Sequence, residues 1–448
     1  MTSVPSVKKL HRAWCMFDWA NSGYNLVITA TIFPIYFIAV TGDKKDDTPD
    51  VISFFGFEAI NSAMLNYALA FAYLTVAFIS PILSSIADYR GTKKRFMKFF
   101  TWMGGLACCG MFFFDAHHIE LAIILAIVAA IGYSGGIVFN NAYLPEIAKP
   151  AAHDALSAKG YMFGYIGSVI LQLICLAFVQ IKFDDPTFAA RLSFLLVGIW
   201  WISFAQIPFS QLPEGTPAKS GPKHNILYNG FHELKEVYRQ LEKLPLIKIY
   251  LLAFLFYSMG VQTVMLAAAE FAVKEIKKEV DGIMQPLGET ELILIVLIIQ
   301  LVAIVGAMMM ARLSARIGNL RVLMLTVALW IGICAAAYNT HTDTAFYGLA
   351  AVVGLVMGGI QAMSRSTFAK MMPVTQDTAS FFSFYNVAEK IAMAVGLFLF
   401  GLIEHITGDM RNSIFALAGF FIIGALFLLW TERIRKRTGL SHQLIASG

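Results

Sequence analysis

Twelve stretches of this chain stay apolar for about twenty residues or more, the length an α-helix needs to cross the hydrocarbon core of a bilayer. They run over 14–40, 59–87, 96–114, 119–144, 159–181, 188–210, 246–273, 291–311, 320–338, 343–370, 380–404 and 411–431. Lipid offers no hydrogen-bond partners, so each backbone must satisfy itself, and an apolar stretch of this length spans as a helix. The composition agrees: 58% of residues are hydrophobic and 14% charged, against about 25% charged in a soluble protein. A net charge of +5 gives no support to nucleic-acid binding. The five cysteines lie in apolar stretches without metal-ligand or redox spacing and read as packed free thiols. Lys8, Lys9 and Arg12 precede a run too long for a signal peptide, so it is kept as a first membrane helix.

Lysine and arginine set the orientation. With the N-terminus cytoplasmic, 25 of the 34 fall on the inner side, and both termini lie inside. The longest connection, 211–245, opens with a Pro/Gly-rich linker. It continues with Phe231, Leu234, Val237, Tyr238 and Leu241 at helical spacing, an amphipathic surface helix. It separates six helices from six, giving units 1–210 and 246–432 and a cytoplasmic tail over 433–448. The halves echo one another. "GGI" at 135–137 precedes Pro150, Asp154 and Ser157; "GGI" at 358–360 precedes Pro373, Asp377 and Ser380 at the same intervals. The expected fold is an all-α membrane protein with twelve transmembrane helices in two pseudo-symmetric six-helix bundles.

The polar exceptions carry the functional reading. In the first span Asp18, Ser22, Asn25 and Thr29 step by four, three and four onto one helical face, with Asn21 beside them. An Asp at a membrane helix centre costs roughly 2.5–3.5 kcal/mol on insertion scales, so this stripe should face helices or water. Asp18 is placed about one turn into its helix. It reads either as a complement to the helix N-terminus or as an ion-coupling carboxylate. In the eleventh span Ser383, Asn386 and Lys390 share a face adjoined by Glu389. As neighbours on a helix, Glu389 and Lys390 are not expected to face each other. Lys390 is the candidate for an anionic substrate group. Gln262 and Gln361 are candidate cavity donors, and Arg365 lies toward the inner end of the tenth span, where it can gate or snorkel. "SSIADYRGTKKR" at 84–95 places Asp88 at a helix end, Gly91 at a tight turn, and Arg90, Lys93, Lys94 and Arg95 together.

Asp88-x-x-Gly91-x-Lys93-Lys94 resembles the loop signature of the major facilitator superfamily, which locks one conformation through charge pairs at helix ends. Ser84 and Tyr89 depart from that pattern, and the second-half counterpart has Ala315 where an Asp would match. "FDWANSGY" at 17–24, "YLPEIA" at 143–148, "GGIQAMSRSTFAKMMP" at 358–373 and "FFSFYNVAEK" at 381–390 together resemble the vacuole-effluxer-like branch of that superfamily. The resemblance runs through all twelve spans. It implies two rocking bundles and secondary transport, with amino-acid efflux known from a fungal vacuolar group. It marks Asp18, Trp19, Asn21 and Ser22, Gln361, Ser364, Arg365 and Ser366, and Asn386 and Lys390 as signature positions. Met259 stands where the branch often has an acid, and Glu389 where a small residue is common, so a coupling charge is lost or relocated.

The expectation is a monomeric secondary transporter in a bacterial inner membrane, without a cofactor and not an enzyme. Its partners are a small solute, protons as the candidate coupling ion, and the lipid bilayer. Asn21, Asn25, Gln262, Gln361, Asn386 and Lys390 are assigned to substrate, Asp18 and Glu389 to proton coupling, and Asp88, Arg90, Gly91 and Arg365 to gating. A non-transporting membrane sensor or assembly protein is the alternative.

Overall fold

A computed structural model describes residues 6–42, 51–181, 183–185, 187–215, 226–280 and 283–437. The acidic run at 43–47, the middle of the linker and the tail beyond 437 lie outside the described residues. Helix α1 (Val7–Gly23) passes through a π-helical stretch, Tyr24–Ala30, into α2 (Ile32–Thr41). These three pieces make the first span. Then follow a hairpin of β1 (Val51–Phe54) and β2 (Phe57–Ile60), and α3 (Asn61–Arg90), α4 (Lys93–Gly110), α5 (Ile119–Ile147), α6 (His153–Gln180) and α7 (Phe188–Gln211). Helix α8 (Ile226–Glu242) precedes the second half: α9 (Pro245–Glu275), a hairpin of β3 (Lys277–Val280) and β4 (Ile283–Pro286), α10 (Glu289–Ile317), α11 (Asn319–Tyr338), α12 (Asp343–Met371), α13 (Thr378–Thr407) and α14 (Ser413–Arg437). Among the described residues, twelve spans are long and apolar enough to cross a membrane. An even number of crossings leaves the start of α1 and the end of α14 on one face, called here the terminal face.

Two features depart from the sequence expectation. The first connection of each half carries a short antiparallel hairpin, pairing Val51 with Ile60 and Lys277 with Pro286. Mixed-charge and aromatic residues at these points gave no clear alternation. Helix α1 also begins at Val7, seven residues before the apolar run, because its basic first turns are helical without being apolar. Asp18 therefore sits about three turns in, too far to complement the N-terminus of its helix. The first span is not one regular helix either. Its break has a local cause: the Thr31 hydroxyl donates to Leu26 O at 2.7 Å and lies 3.0 Å from Gln172 Oε1, which draws the backbone out of its ladder.

Within the first bundle α1 packs on α6 and α7, and α4 on α5 and α7; within the second α10 packs on α12, and α9 on α13 and α14. The bundles meet along α3 with α13 and α6 with α10, flanked by α5 and α12. Helix α8 lies against α3 with Val237 and Leu241 buried, while Tyr238 stays exposed near the Phe384 ring. Small residues set the closest approaches. A Cβ on Gly358 would stand 2.2 Å from Ala303 O, and one on Gly354 2.4 Å from Ile299 O. Backbone cannot swing aside as a side chain can, so α10 and α12 touch only because these positions lack a side chain.

Gly358→Ala should force α12 off α10 and lower the melting temperature of the purified protein, at a cost of about 1–3 kcal/mol. Gly348→Ala, on the same helix with nothing within 4 Å of its Cβ position, should leave it unchanged or raise it. A thermal-shift comparison checks both; equal effects would refute the packing account.

Candidate functional site

Asp18 and Arg365 come from opposite bundles and are both buried, 9% and 2% exposed. Both terminal nitrogens of Arg365 donate to Asp18 Oδ2 at 3.2 Å. The guanidinium is then fully enclosed by the first bundle. Its Nε donates to Ser157 Oγ at 3.0 Å, Nη2 to the Ser157 carbonyl at 2.9 Å, and Nη1 to Asn141 Oδ1 at 3.2 Å. Its carbon lies 4.7 Å from the Trp14 ring centroid and 4.3 Å from that of Tyr161, so two aromatic faces replace water around the charge. Asn140 Nδ2 donates to the other Asp18 oxygen at 3.3 Å. Gly160 makes room: a Cβ there would fall 2.4 Å from Asp18 Oδ2 and 2.7 Å from Arg365 Nη2. Arg365 thus does not snorkel to the surface; it is a plug from α12 seated in a socket made by α1, α5 and α6.

Nearer the terminal face two polar clusters flank this pair. In one, Asp88 at the end of α3 accepts from the backbone N–H of Ala379 at 3.3 Å and of Ser380 at 2.7 Å, and from Ser380 Oγ at 2.8 Å. A carboxylate is thereby set against the N-terminus of α13, where the helix dipole favours it. Lys93 lies 3.1 Å from Asp88, contacts Glu146, and donates to Thr378 Oγ1 at 2.7 Å. Gly91 adopts φ +67° to turn the chain between them, a conformation glycine takes without strain. In the other cluster Asp154, at the start of α6, accepts from Ser314 Oγ at 2.7 Å, Asn319 Nδ2 at 2.6 Å and Lys370 Nζ at 2.7 Å. The second half lacks an acid at Ala315, and the acid stands instead on the facing helix. The two clusters are counterparts with the carboxylate moved across the bundle interface.

Toward the membrane middle, Glu389 of α13 lines a cavity of about 10 Å³, room for one water. Glu389, Gln262, Gln361, Ser258 and Ser364 line it with Tyr161, Tyr257 and Tyr385. Contrary to the helical-neighbour expectation, Lys390 Nζ reaches Glu389 Oε2 at 3.2 Å, because both side chains are long enough to bend together. Gln262 Nε2 donates to Glu389 Oε1 at 3.3 Å, and Tyr165 OH to Gln361 Oε1 at 2.6 Å across the bundle interface. The Lys390 ammonium also lies 5.1 Å from the Tyr73 ring centroid on the first bundle. A larger cavity of about 70 Å³ in the second bundle is wholly apolar, lined by Val264, Phe271, Phe346 and Phe400 among others. It has no polar group to orient a solute.

The remaining sequence candidates divide. Asn386 is buried, but its amide donates to Phe382 O at 2.8 Å on its own helix. Asn21 is buried with Nδ2 unpartnered, and Asn25 is half-buried at the start of the π-helical stretch. Ser22 faces α6, within 2.5 Å of where Gly164 would carry a Cβ. Ser364 ties α12 to α9, with Tyr257 OH at 2.7 Å from its hydroxyl and Tyr250 OH donating to its carbonyl at 2.8 Å. Arg90 is exposed and enters no ion pair with a described residue; Lys93, not Arg90, pairs with Asp88. Asp154, Ser157, Lys370 and Tyr161 escaped the sequence reading as site residues. The repeat did single out Asp154 and Ser157, but no spacing could show that α10 and α12 meet them.

The family model for vacuole effluxer Atg22-like proteins matches residues 6–440. The chain is 30% identical over 440 residues to YxiO, an uncharacterized MFS-type transporter of Bacillus subtilis, covering 97% of each. It is 23% identical over 479 residues to autophagy-related protein 22 of Yarrowia lipolytica, covering 86% of this chain and 78% of that one. Among solved structures it is similar to the proton:xylose symporter XylE, with TM-score 0.71 and 12% identity, covering 94% and 95% of the two chains. It is also similar to FucP in the outward conformation, with TM-score 0.69 and 14% identity, covering 95% and 98%. Twelve spans in two bundles, a matched family model and these relatives converge: the chain belongs to the vacuole effluxer Atg22-like family of major facilitator transporters and is not an enzyme.

Proposed function

We propose that this protein is a secondary active transporter of a small zwitterionic solute of the amino-acid class, working in a plasma membrane with its terminal face cytoplasmic. The basic residues crowd that face, as the positive-inside rule requires. The reading rests on one observation above all: the Asp18–Arg365 pair is buried and joins the two bundles. Removing one partner from a buried ion pair leaves an uncompensated charge and costs about 3–5 kcal/mol. Opening the cytoplasmic side must part these groups. Protonating Asp18 neutralises the half left in the membrane, while Arg365 moves with α12 toward water. Proton entry then favours release of the lock, which couples access to the proton gradient.

The solute reading comes from charge balance. Lys390 neutralises Glu389, which lines the small cavity with tyrosines and the amides of Gln262 and Gln361. A solute that separates them must offer both a carboxylate to Lys390 and an ammonium to Glu389, or it leaves one charge stranded in low dielectric. A solute with only one charge would break the pair without replacing both partners. The family description of vacuole effluxers, taken with transport by alternating access, is compatible with export of such a solute.

In proteoliposomes carrying a pH-sensitive dye inside, a screen of the twenty common amino acids should find at least one that moves protons with it. Asp18→Asn should abolish accumulation driven by a pH gradient while keeping solute exchange at equal pH. Retention of gradient-driven accumulation by Asp18→Asn would refute the coupling role. For the solute site, Lys390→Ala should weaken the amino-acid-induced thermal shift at least tenfold in apparent affinity, with Lys390→Arg less affected. An unchanged affinity in Lys390→Ala would place the carboxylate elsewhere.

A further inference from the structure

Lys159 lies on α6 beside Gly160, at the membrane depth where α6 presses on Asp18 and Arg365. It is exposed, and among the described residues it has no ion pair and no side-chain hydrogen bond. Its ammonium lies 5.8 Å from the Phe163 ring centroid, one turn further along the helix. An unpaired ammonium on the outside of a membrane span is costly unless it reaches a headgroup or finds a counter-charge.

The surroundings supply a groove. Phe163 meets Trp19 edge-on at 6.4 Å, Trp19 stacks on Trp200 at 5.7 Å, and Phe204 meets both rings. Trp200 Nε1 donates to the Trp19 carbonyl at 3.3 Å, which fixes α7 against α1. Along α6, Lys159, Phe163, Ile166 and Ile170 follow steps of four, three and four, so one face runs from a cation into apolar side chains. Along α1, Lys8, Arg12 and Trp19 lie on the matching face, and Lys8 and Arg12 are exposed and unpaired among the described residues. The two stripes meet at the Trp19–Phe163 contact. Both put their positive charge toward the terminal face and their aromatic rings toward the membrane interior.

We propose that this groove between α1, α6 and α7 is a binding site for an anionic phospholipid. Arg12 and Lys159 hold the phosphate, and an acyl chain lies over Phe163, Ile170 and the Trp19–Trp200 stack. A basic rim above an apolar interhelical groove is the arrangement that recognises acidic headgroups. A zwitterionic lipid would bring its own ammonium against the lysine and arginine, and a soluble phosphate would leave the aromatic surface uncovered. The bound lipid braces α1 against α6 and α7, one residue from the Asp18 carboxylate.

The test is thermal unfolding of the full-length protein in neutral detergent with added phosphatidylglycerol, phosphatidylcholine or glycerol 1-phosphate. The wild type should be stabilised several degrees more by phosphatidylglycerol than by phosphatidylcholine, and not at all by glycerol 1-phosphate. Lys159→Gln should lose at least half of that difference, and Lys159→Arg should keep it. Lys243→Gln, which removes an exposed charge on the linker side of α9, should also keep it. If Lys159→Gln cannot be purified, Arg12→Gln takes its place with the same expected loss. A wild type without lipid preference, a groove variant that keeps it, or an equal loss in Lys243→Gln would each overturn the site, the last by showing diffuse charge attraction. Stabilisation by glycerol 1-phosphate would overturn it in favour of a soluble phosphate ligand.

Discussion

A charge placed inside a membrane span has to be answered by another charge, and Asp18 and Arg365 answer each other across the bundle interface. Either one left alone at that depth would cost several kcal/mol, on the order of 3–5. The consequence is architectural. The socket around Arg365 needs Gly160 to lack a side chain, Ser157 and Asn141 to accept, and Trp14 and Tyr161 to present their faces. The interaction also brings α12 against α6, and with it Ser157 Oγ donating to Ala362 O at 2.8 Å. Close helix approach at this level follows from the need to enclose one guanidinium.

Below that layer the interface uses one solution twice, with the acid on the first bundle each time. Asp88 on the first bundle reaches the start of α13 on the second. Asp154 on the start of α6 receives Ser314, Asn319 and Lys370 from the second bundle. Both acids lie on the first bundle and accept hydrogen bonds from the second, while Lys93 of the first bundle also pairs with Asp88. In both of these clusters the carboxylate that crosses the interface comes from residues 1–210. Duplicated halves constrain where helices go, while the sign of each charge is free to move to the facing helix as long as the pair survives.

The spans, the even crossing number and the duplicated halves were legible because lipid imposes a long, monotonous signal that no tertiary contact can override. Asp18, Arg365, Gln262, Gln361, Glu389 and Lys390 stood out for the same reason: polar residues in apolar surroundings are conspicuous. Their partners were not legible. Asp18 looked like a residue near a helix start because the basic turns from Val7 carry no apolar signal. Asn386 looked like a cavity donor because periodicity cannot reveal an amide that bonds back to Phe382 O. Arg90 and Lys93 are equivalent in a cluster of basic residues until the turn at Gly91 points one outward and the other at Asp88.

The sequence by itself determined which segments enter the membrane and which polar side chains they carry, because transfer into lipid acts on each segment separately. Only the tertiary structure decided that Asp18 pairs with Arg365 some 350 residues away, that Glu389 and Lys390 bend together, and that Asp154 takes the place of a missing acid at Ala315. Those choices depend on distances of a few ångströms between helices remote in the chain, and Coulomb and hydrogen-bond energies are decided at that range.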